Sequence, residues 1–199
     1  MNKNHEKLNR ILKYSDQLID KIPDQSNPHK IFIFTYYLSL FDIANDIVLL
    51  ADNNRLNNIP TLVRSFIETY IDMELLAQNE NYIHVLIVKA EEEEIRKLES
   101  ILNKNDLTPE IRKQFTKQKQ DAEQSLTSHK NRDNIPIFKS IKDKFRALNM
   151  LDFYNISYND LCGHTHNNAK QIEQKFISMN ADQTKVTLKH LAKNNPVII

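Results

Sequence analysis

The segment that decides the fold reads IFIFTYYLSLFDIANDIVLL and covers residues 31–50. It is long enough to cross a bilayer, but Asp42 and Asp46 stand within it. An aspartate near the centre of a membrane helix costs about 2.5–3.5 kcal/mol, which the apolar residues barely offset. We therefore interpret the segment, from about His29 to Ala51, as the central helix of a bundle and expect it to be the most buried part of the chain.

The composition of the 199 residues favours helices. The chain contains one glycine, one cysteine and no tryptophan, whereas β folds and dinucleotide-binding α/β folds depend on glycine turns. The net charge of +1 gives no overall attraction to nucleic acid. A single cysteine excludes an internal disulfide and fits a reducing compartment, and we find no signal peptide pattern at the start. We expect a cytoplasmic protein with no membrane partner.

A charged helical hairpin is predicted over residues 88–128. Four glutamates follow Ala90. The sequence Thr108-Pro109-Glu110 is a strong helix start, because threonine caps well and proline suits the first turn. Few apolar positions follow that start. We expect two helices that project from the core, either as a solvated arm or as an arm that contacts a partner or a second copy of the chain.

The remaining segments complete a single helical domain over residues 1–199. Amphipathic patterns predict helices over residues 4–22, 58–78 and 137–148, and a last core helix from about Ser157 to Phe176. The polar tail, residues 180–199, ends in Pro196-Val197-Ile198-Ile199 and is compatible with a short helix, a strand or a docked extension. The predicted fold class is all-α, a helical bundle with a protruding charged helical hairpin.

Arg64 and Glu68 form the first candidate site. They are four residues apart, so they lie on one face of a helix within reach of each other. Their neighbours on that face are apolar, which places the pair at the edge of the core. The pair is either an ordinary helix ion pair or part of a pocket in which the planar arginine fork holds a phosphate or carboxylate.

The second candidate site is the segment Leu161-Cys162-Gly163-His164-Thr165-His166, which holds the only glycine and the only cysteine. On a helix, Tyr158, Cys162 and His166 share one face, whereas His164 points about 200° away from His166. No Cys-x-x-Cys or His-x-x-Glu-His pattern accompanies them, so we predict no metal and no cofactor. A Cys–His nucleophile pair and a core histidine are both left open.

Polar residues on the apolar second helix form a third set. Buried carboxylates must be paired or protonated, so Asp42 or Asp46 is expected to pair with Arg64 and to hold it in place. Together with residues of the second candidate site, this set gives the residues that we expect to bind substrate: Asp46, Tyr158, Cys162 and His164.

Two short motifs resemble a family of bacterial proteins of unknown function. The first is IPTLVRSFIE over residues 59–68, and the second is Tyr158-x-x-Leu161-Cys162-x-x-x-His166. In that family an Arg-x-x-x-Glu helix is paired with a distal Tyr-x-x-Leu-Ser-x-x-x-His segment, and here Cys162 stands where serine is usual. The resemblance covers about residues 40–170.

The helical build also resembles HEPN domains, small bundles that include many toxin and antiphage ribonucleases. Their signature places an arginine four to six residues before a histidine in one helix, but here Asp160 and Leu161 precede His166 at that distance. An arginine–histidine pair must therefore come from two helices, as Arg64 with His166. The resemblance implies a ribonuclease activity.

We hypothesise a metal-independent ribonuclease of a bacterial toxin or antiphage defence system, in which Arg64, Glu68 and His166 converge. His166 would be the acid or base, and Arg64 would stabilise the phosphorane charge. The expected partners are RNA or a nucleotide, a second copy of the chain bound through residues 88–128, and a protein encoded nearby. The alternative is a non-catalytic nucleotide-binding, anion-binding or protein-interaction module whose cluster is structural.

Overall fold

The computed structural model describes residues 6–7, 10–15, 27–165, 177–179 and 186–188, and most of them are helical. Residues 6–7 and 10–15 are helical and precede five longer helices. These are α1 (Pro28–Asp52), α2 (Ile59–Gln78), α3 (Tyr82–Leu102), α4 (Pro109–Lys130) and α5 (Ile141–Ala147). A last continuous helix follows, made of α6 (Leu151–Phe153), a π turn (Tyr154–Tyr158) and α7 (Asn159–Thr165). The predicted all-α bundle with a protruding hairpin is confirmed.

The helices begin where the sequence supplies caps. The Asn27 side chain accepts hydrogen bonds from two amides in the first turn of α1, and the Thr108 hydroxyl accepts one in α4. Proline occupies the first turn of both helices, where its missing amide is no loss. Asn58, the residue before α2, makes no side-chain capping bond. The chain enters α2 instead from a 3-10 turn (Leu56–Asn58).

The core is centred on α2, which supplies half of the best-buried apolar cluster. Two further aromatic residues of this cluster come from α3 and α5, and the last comes from the π turn. Its members are Ile71, Leu75, Leu76, Tyr82, Phe145 and Tyr158. Because α2 contacts α1, α3, α5 and α7, it holds the bundle together.

The expectation that residues 29–51 are the most buried segment is wrong. Only Leu40 and Ala44 of α1 are buried, and the Leu49 side chain is 60% exposed. An apolar pattern all round a helix does not fix how many neighbours the helix has, and α1 lies against α2 on one side. By length and composition α1 is the one helix of the described chain that passes as a membrane span. Core helices and signal sequences pass the same test, so this finding is weak evidence for a span.

The hairpin consists of α3 and α4, and α3 begins inside the bundle. Tyr82 is fully buried in the core, and Ile83, Val85 and Leu86 pack against the same cluster. The first turns of α3 therefore belong to the bundle, and the later turns form the arm.

Beyond its base the hairpin is held by contacts between its own two helices. Leu98 and Ala122 are its buried apolar residues, and the Lys119 ammonium lies 2.9 Å from the Glu99 carboxylate across the helices. At the turn, the Arg112 guanidinium donates to the carbonyls of Leu102 and Lys104 at 2.7 and 2.8 Å. These carbonyls lie at the end of α3, where helical partners are missing.

The C-terminal part departs from prediction in its boundaries. The helix expected at 137–148 is the shorter α5, and the last helix begins at Leu151 rather than near Ser157. Its expected extension to Phe176 lies outside the described residues. Two short strands, β1 (Ile177–Met179) and β2 (Val186–Leu188), pair antiparallel with Ile177 opposite Leu188. The tail was expected to form a short helix, a strand or a docked extension, and its residues 186–188 form a strand.

Candidate functional site

Arg64 and Glu68 lie together on one face of α2, as their spacing predicted. The Arg64 Nε donates a hydrogen bond to the Glu68 Oε1 at 2.8 Å. The side chains are 22% and 39% exposed, so the pair lies at the edge of the bundle and the carboxylate reaches solvent. An ion pair in such a position contributes little to stability, but it fixes the direction of the guanidinium.

Tyr158 joins this pair from the last helix. Its hydroxyl donates a hydrogen bond to the same Glu68 oxygen, across 90 residues of sequence. The Arg64 guanidinium carbon lies 5.7 Å from the centre of the Tyr158 ring, within the range of a cation–π contact. Arg64, Glu68 and Tyr158 therefore form one cluster, which we call the Glu68 cluster.

Aromatic packing holds Tyr158 in place. The Phe145 ring lies 5.0 Å from it and the Tyr154 ring 5.4 Å, measured between ring centres, and Tyr158 is only 1% exposed. Tyr154 and Tyr158 are the ends of the π turn. Such turns insert an extra residue into a helix and are frequent at functional sites.

The charges of the Glu68 cluster are stable at neutral pH. Partial burial alone would raise the pKa of Glu68, but the hydrogen bonds from Tyr158 and Arg64 and the charges of Arg64 and Lys89 lower it below its usual value. The bond to Glu68 raises the pKa of Arg64. Burial, followed by the contact with Glu68, raises the pKa of Tyr158. The cluster thus holds a carboxylate, a guanidinium and a neutral phenol.

Lys89 is a member of the site that the sequence analysis missed. It is exposed on α3, and its positive charge acts on Glu68. The positive charges of Arg64 and Lys89 thus both favour the ionised form of Glu68. Only the packing of α3 beside α2 brings Lys89 close, and nothing in the local sequence around it signals that contact.

The other residues expected at the site divide between described and undescribed parts. Cys162 is a half-buried free thiol that packs against the core, one turn after Tyr158. His164 belongs to α7, and only the backbone of this residue is described. His166 lies outside the described residues, so its predicted convergence with Arg64 stays a prediction.

The expectation that Asp42 and Asp46 are buried is wrong, and the substrate-binding role of Asp46 stays a prediction. Asp42, Asn45 and Asp46 are all exposed on α1. Asp46 lines a shallow groove of about 450 Å³ with apolar and neutral residues of α1 and α2. The carboxylate that pairs with Arg64 belongs to Glu68, one turn along α2.

A second polar cluster, which we call the Asp72 cluster, was also missed. Asp72 lies one turn after Glu68, and its Oδ1 accepts hydrogen bonds from the Tyr82 hydroxyl at 2.5 Å and the Lys144 ammonium at 2.6 Å. The Asp72 and Lys144 side chains are 16% and 12% exposed. Burial and the charge of Asp72 raise the pKa of neighbouring Tyr36 to about 12. This cluster ties α2, α3 and α5 together.

Candidate metal ligands do not gather in the described part of the chain. Among those residues, no group of three or more histidine, cysteine, aspartate or glutamate side chains is placed to hold a metal ion. What the described site offers chemically is therefore a fixed guanidinium, a nearby ammonium and a buried phenol around one carboxylate.

The fold and the Glu68 cluster define a helical-bundle protein with a polar site between two distant helices. Residues 30–184 match DUF5677, a family of unknown function, and the chain belongs to this family. The matched region contains Arg64, Glu68, Tyr158 and His166. No curated protein and no solved structure matches the chain.

Proposed function

We propose that the protein is a metal-independent ribonuclease with a HEPN-like helical build, acting in the cytoplasm in a toxin or antiphage defence system. The observation that carries the proposal is the hydrogen bond from Tyr158 to Glu68. It joins the arginine-containing helix to the helix that leads toward His166, as a two-helix arginine–histidine site requires. In addition, Arg64 and Lys89 give this surface the positive charge that a phosphodiester needs.

Arg64 is the proposed phosphate ligand. Glu68 fixes its orientation through the Nε atom, so the guanidinium needs little reorganisation when negative charge develops on the phosphorane. Because the pKa of Glu68 is lowered, this carboxylate is a weak base at neutral pH. Glu68 is therefore a positioning residue, and removal of the 2′-hydroxyl proton belongs to His166.

The proposed reaction is an internal transesterification of RNA. His166 takes the proton of a 2′-hydroxyl, whose oxygen attacks the adjacent phosphorus. The bond from phosphorus to the 5′-oxygen breaks, and that oxygen receives a proton from solvent. The products are a 2′,3′-cyclic phosphate and a 5′-hydroxyl. DNA cannot undergo this reaction, because deoxyribose has no 2′-hydroxyl.

The decisive experiment is cleavage of end-labelled single-stranded RNA by the full chain, with and without EDTA. We expect Arg64→Lys to abolish cleavage, because lysine keeps the charge and loses the planar fork. His166→Ala should lower the rate about 10²–10⁴-fold. Both variants should keep the melting temperature within about 2–4 °C of the parent, which corresponds to about 1 kcal/mol for a chain of this size.

Arg96→Lys and His29→Ala are matched controls, because they make the same chemical changes at described residues of α3 and α1 that lie outside the Glu68 cluster. Both should cleave RNA at the parent rate. Absence of cleavage by the parent would overturn the proposal, and so would equal losses in the control variants. Loss of cleavage in EDTA would overturn metal independence alone.

A non-catalytic module is the second candidate function. The observation that favours it is the near-complete burial of Tyr158, since a buried polar network fixes the packing of helices without chemistry. In that case the cluster is structural, or it binds a nucleotide or another anion without turning it over. Losses of several kcal/mol in both site variants, or RNA binding without cleavage, would favour this function.

We propose that the hairpin is the contact through which the chain binds a second copy or a partner protein encoded nearby. Its outer turns pack only on each other within the described chain, apart from the base at Tyr82–Leu86. Replacing residues 91–126 with a short linker should give a folded monomer by light scattering and circular dichroism. A full-length chain that is already monomeric would contradict the dimer, and unfolding of the shortened chain would place the hairpin in the core.

A further inference from the structure

Two histidines meet where the hairpin leaves the bundle. His84 lies in the first turn of α3 and His129 in the last turn of α4. Their Nδ1 atoms are 2.8 Å apart, and their ring centres are 5.0 Å apart. Both residues are half-buried. This contact joins the two ends of the hairpin, 45 residues apart in sequence.

A hydrogen bond between two Nδ1 atoms restricts how many protons the pair can carry. One Nδ1 must carry the hydrogen, and the other must offer its lone pair. If both rings are imidazolium, both Nδ1 atoms carry hydrogens and two positive charges face each other at 2.8 Å. The contact therefore exists only while the pair carries at most one positive charge.

The surroundings do not offset a second charge. The groups whose charges act on His84 are His129 and Arg132, both of which disfavour its protonation. On α4 the neighbouring Lys130 is also cationic, and it already pairs with Glu92 of α3 at 2.7 Å. No carboxylate is among the groups that act on His84, and on α2 the Asp72 carboxylate is occupied by Tyr82 and Lys144.

We propose that the His84–His129 pair is a pH-sensitive latch that holds the base of the hairpin closed near neutral pH and releases it when both rings become protonated. The released state is α3 and α4 separated at their bundle ends, with Tyr82 still anchored in the core. The latch itself does not depend on the proposed ribonuclease activity.

The direction of the pH effect follows from proton linkage. Burial, and then the charges of His129 and Arg132, lower the pKa of His84 below its ordinary value of 6.5. A histidine in the open state regains the ordinary value, so the open state binds more protons as the pH falls below about 6.5. The opening equilibrium then increases by up to about tenfold per pH unit while one additional proton is taken up.

Hydrogen exchange of the full chain in EDTA, corrected for the intrinsic exchange rate, tests the latch at pH 7.5 and pH 5.5. We expect amides of residues 125–130 to lose protection at the lower pH, because the end of α4 loses its contact with α3. The first turns of α3, which pack in the bundle, and the hairpin middle around Leu98 and Ala122 should keep their protection. His84→Gln and His129→Gln should each remove most of this pH dependence. His29→Gln is the control, because it makes the same substitution on α1, away from the hairpin, and should leave the dependence unchanged.

Three results would overturn the latch. The first is protection at the base that does not change between the two pH values. The second is the same pH dependence in His84→Gln and His129→Gln as in the parent chain. The third is a zinc-induced gain of protection at the base, lost in both variants, which would make the pair a metal chelate instead.

If the glutamine variants fail to fold, nitrogen NMR of the parent imidazoles gives the answer. A latch shows one protonated and one unprotonated Nδ1 at neutral pH, and the His84 ring takes up its second proton at a lower pH than an isolated histidine. Protonation of His84 near pH 6.5 would contradict the latch.

Discussion

The Glu68 and Asp72 clusters lie one turn apart on the same helix and use the same chemistry in different surroundings. In each, one carboxylate oxygen accepts a hydrogen bond from a tyrosine hydroxyl and another from a cationic side chain. The Glu68 side chain is 39% exposed, whereas that of Asp72 is 16% exposed. The first cluster can meet a ligand from solvent, and the second is closed between three helices.

The difference shows why composition alone does not identify a site. A buried carboxylate depends on its partners for stability, because water cannot replace the hydrogen bond or ion pair that is lost when one partner is removed. A carboxylate at the edge regains hydration when a partner is lost. We therefore expect the Asp72 cluster to control folding and the Glu68 cluster to control activity, and each prediction below tests that division.

Asp72→Asn should have the largest effect on stability. It leaves the Lys144 ammonium, which is only 12% exposed, without a countercharge, and this should lower the free energy of unfolding by about 3 kcal/mol. Urea unfolding monitored by circular dichroism measures this change. Asp106→Asn, at an exposed position in the hairpin turn, should change stability by less than about 0.5 kcal/mol. Equal losses in the two variants would break the comparison.

The two tyrosines give a smaller, paired contrast. Tyr82→Phe removes a donor from the enclosed Asp72 and should cost about 2 kcal/mol. Tyr158→Phe removes a donor from Glu68, which water can replace, and should cost about 1 kcal/mol. The difference between the two values, measured by urea unfolding under one set of conditions, sharpens the comparison. A reversed order would show that Glu68 is the more enclosed carboxylate.

Glu68→Gln should change stability least and activity most. The Arg64–Glu68 pair is half-exposed, so its loss should cost below about 1 kcal/mol. RNA cleavage should fall with the orientation of Arg64, and Glu68→Asp should fail to restore it because its carboxylate is one methylene shorter. A large drop in melting temperature with unchanged cleavage would exchange the roles of the two clusters.

The smallest expected effect is the change that acid pH makes in the contribution of Glu68 to the free energy of unfolding. Hydrogen bonds and the charges of Arg64 and Lys89 hold the pKa of Glu68 below its ordinary 4.5. Its stabilising contribution is therefore complete above that value and is lost as the pH falls through the lower, folded-state pKa. The stability gap between parent and Glu68→Gln should be constant above about pH 5 and should narrow below it. A gap that widens on acidification would contradict the ionised state of Glu68.

The sequence predicted the helices of this fold well, because caps and apolar periodicity are local signals. Thr108 begins α4 as expected, and the charged pattern after Ala90 indicated the hairpin. What it could not predict is which helix lies at the centre. The apolar run of α1 has the composition of a core helix, yet the more mixed α2 is surrounded on more sides. Burial depends on how many neighbours a helix acquires, and that number is a property of the whole bundle.

At the site, the sequence predicted contacts within one helix better than contacts between helices. The four-residue spacing of Arg64 and Glu68 gave their contact directly. The hydrogen bond from Tyr158 was implied only by the paired motifs, and the π turn that positions this tyrosine has no recognisable signal. Lys89 and the Asp72 cluster were missed because their contacts arise from the packing of α3 and α5 on α2. Asp46 was expected beside Arg64 for the same reason, because the sequence does not show how α1 packs on α2.

The hairpin is also a lever. At about 1.5 Å per residue, the part of α3 beyond Leu86 extends about 24 Å from the bundle. A tilt of about 5° at its base would therefore move its tip by about 2 Å, more than the tolerance of a hydrogen bond. Because Arg112 ties the end of α3 to the start of α4, both helices would swing as one body. A change in a few side chains at the base of the hairpin would thus move the entire surface at its tip.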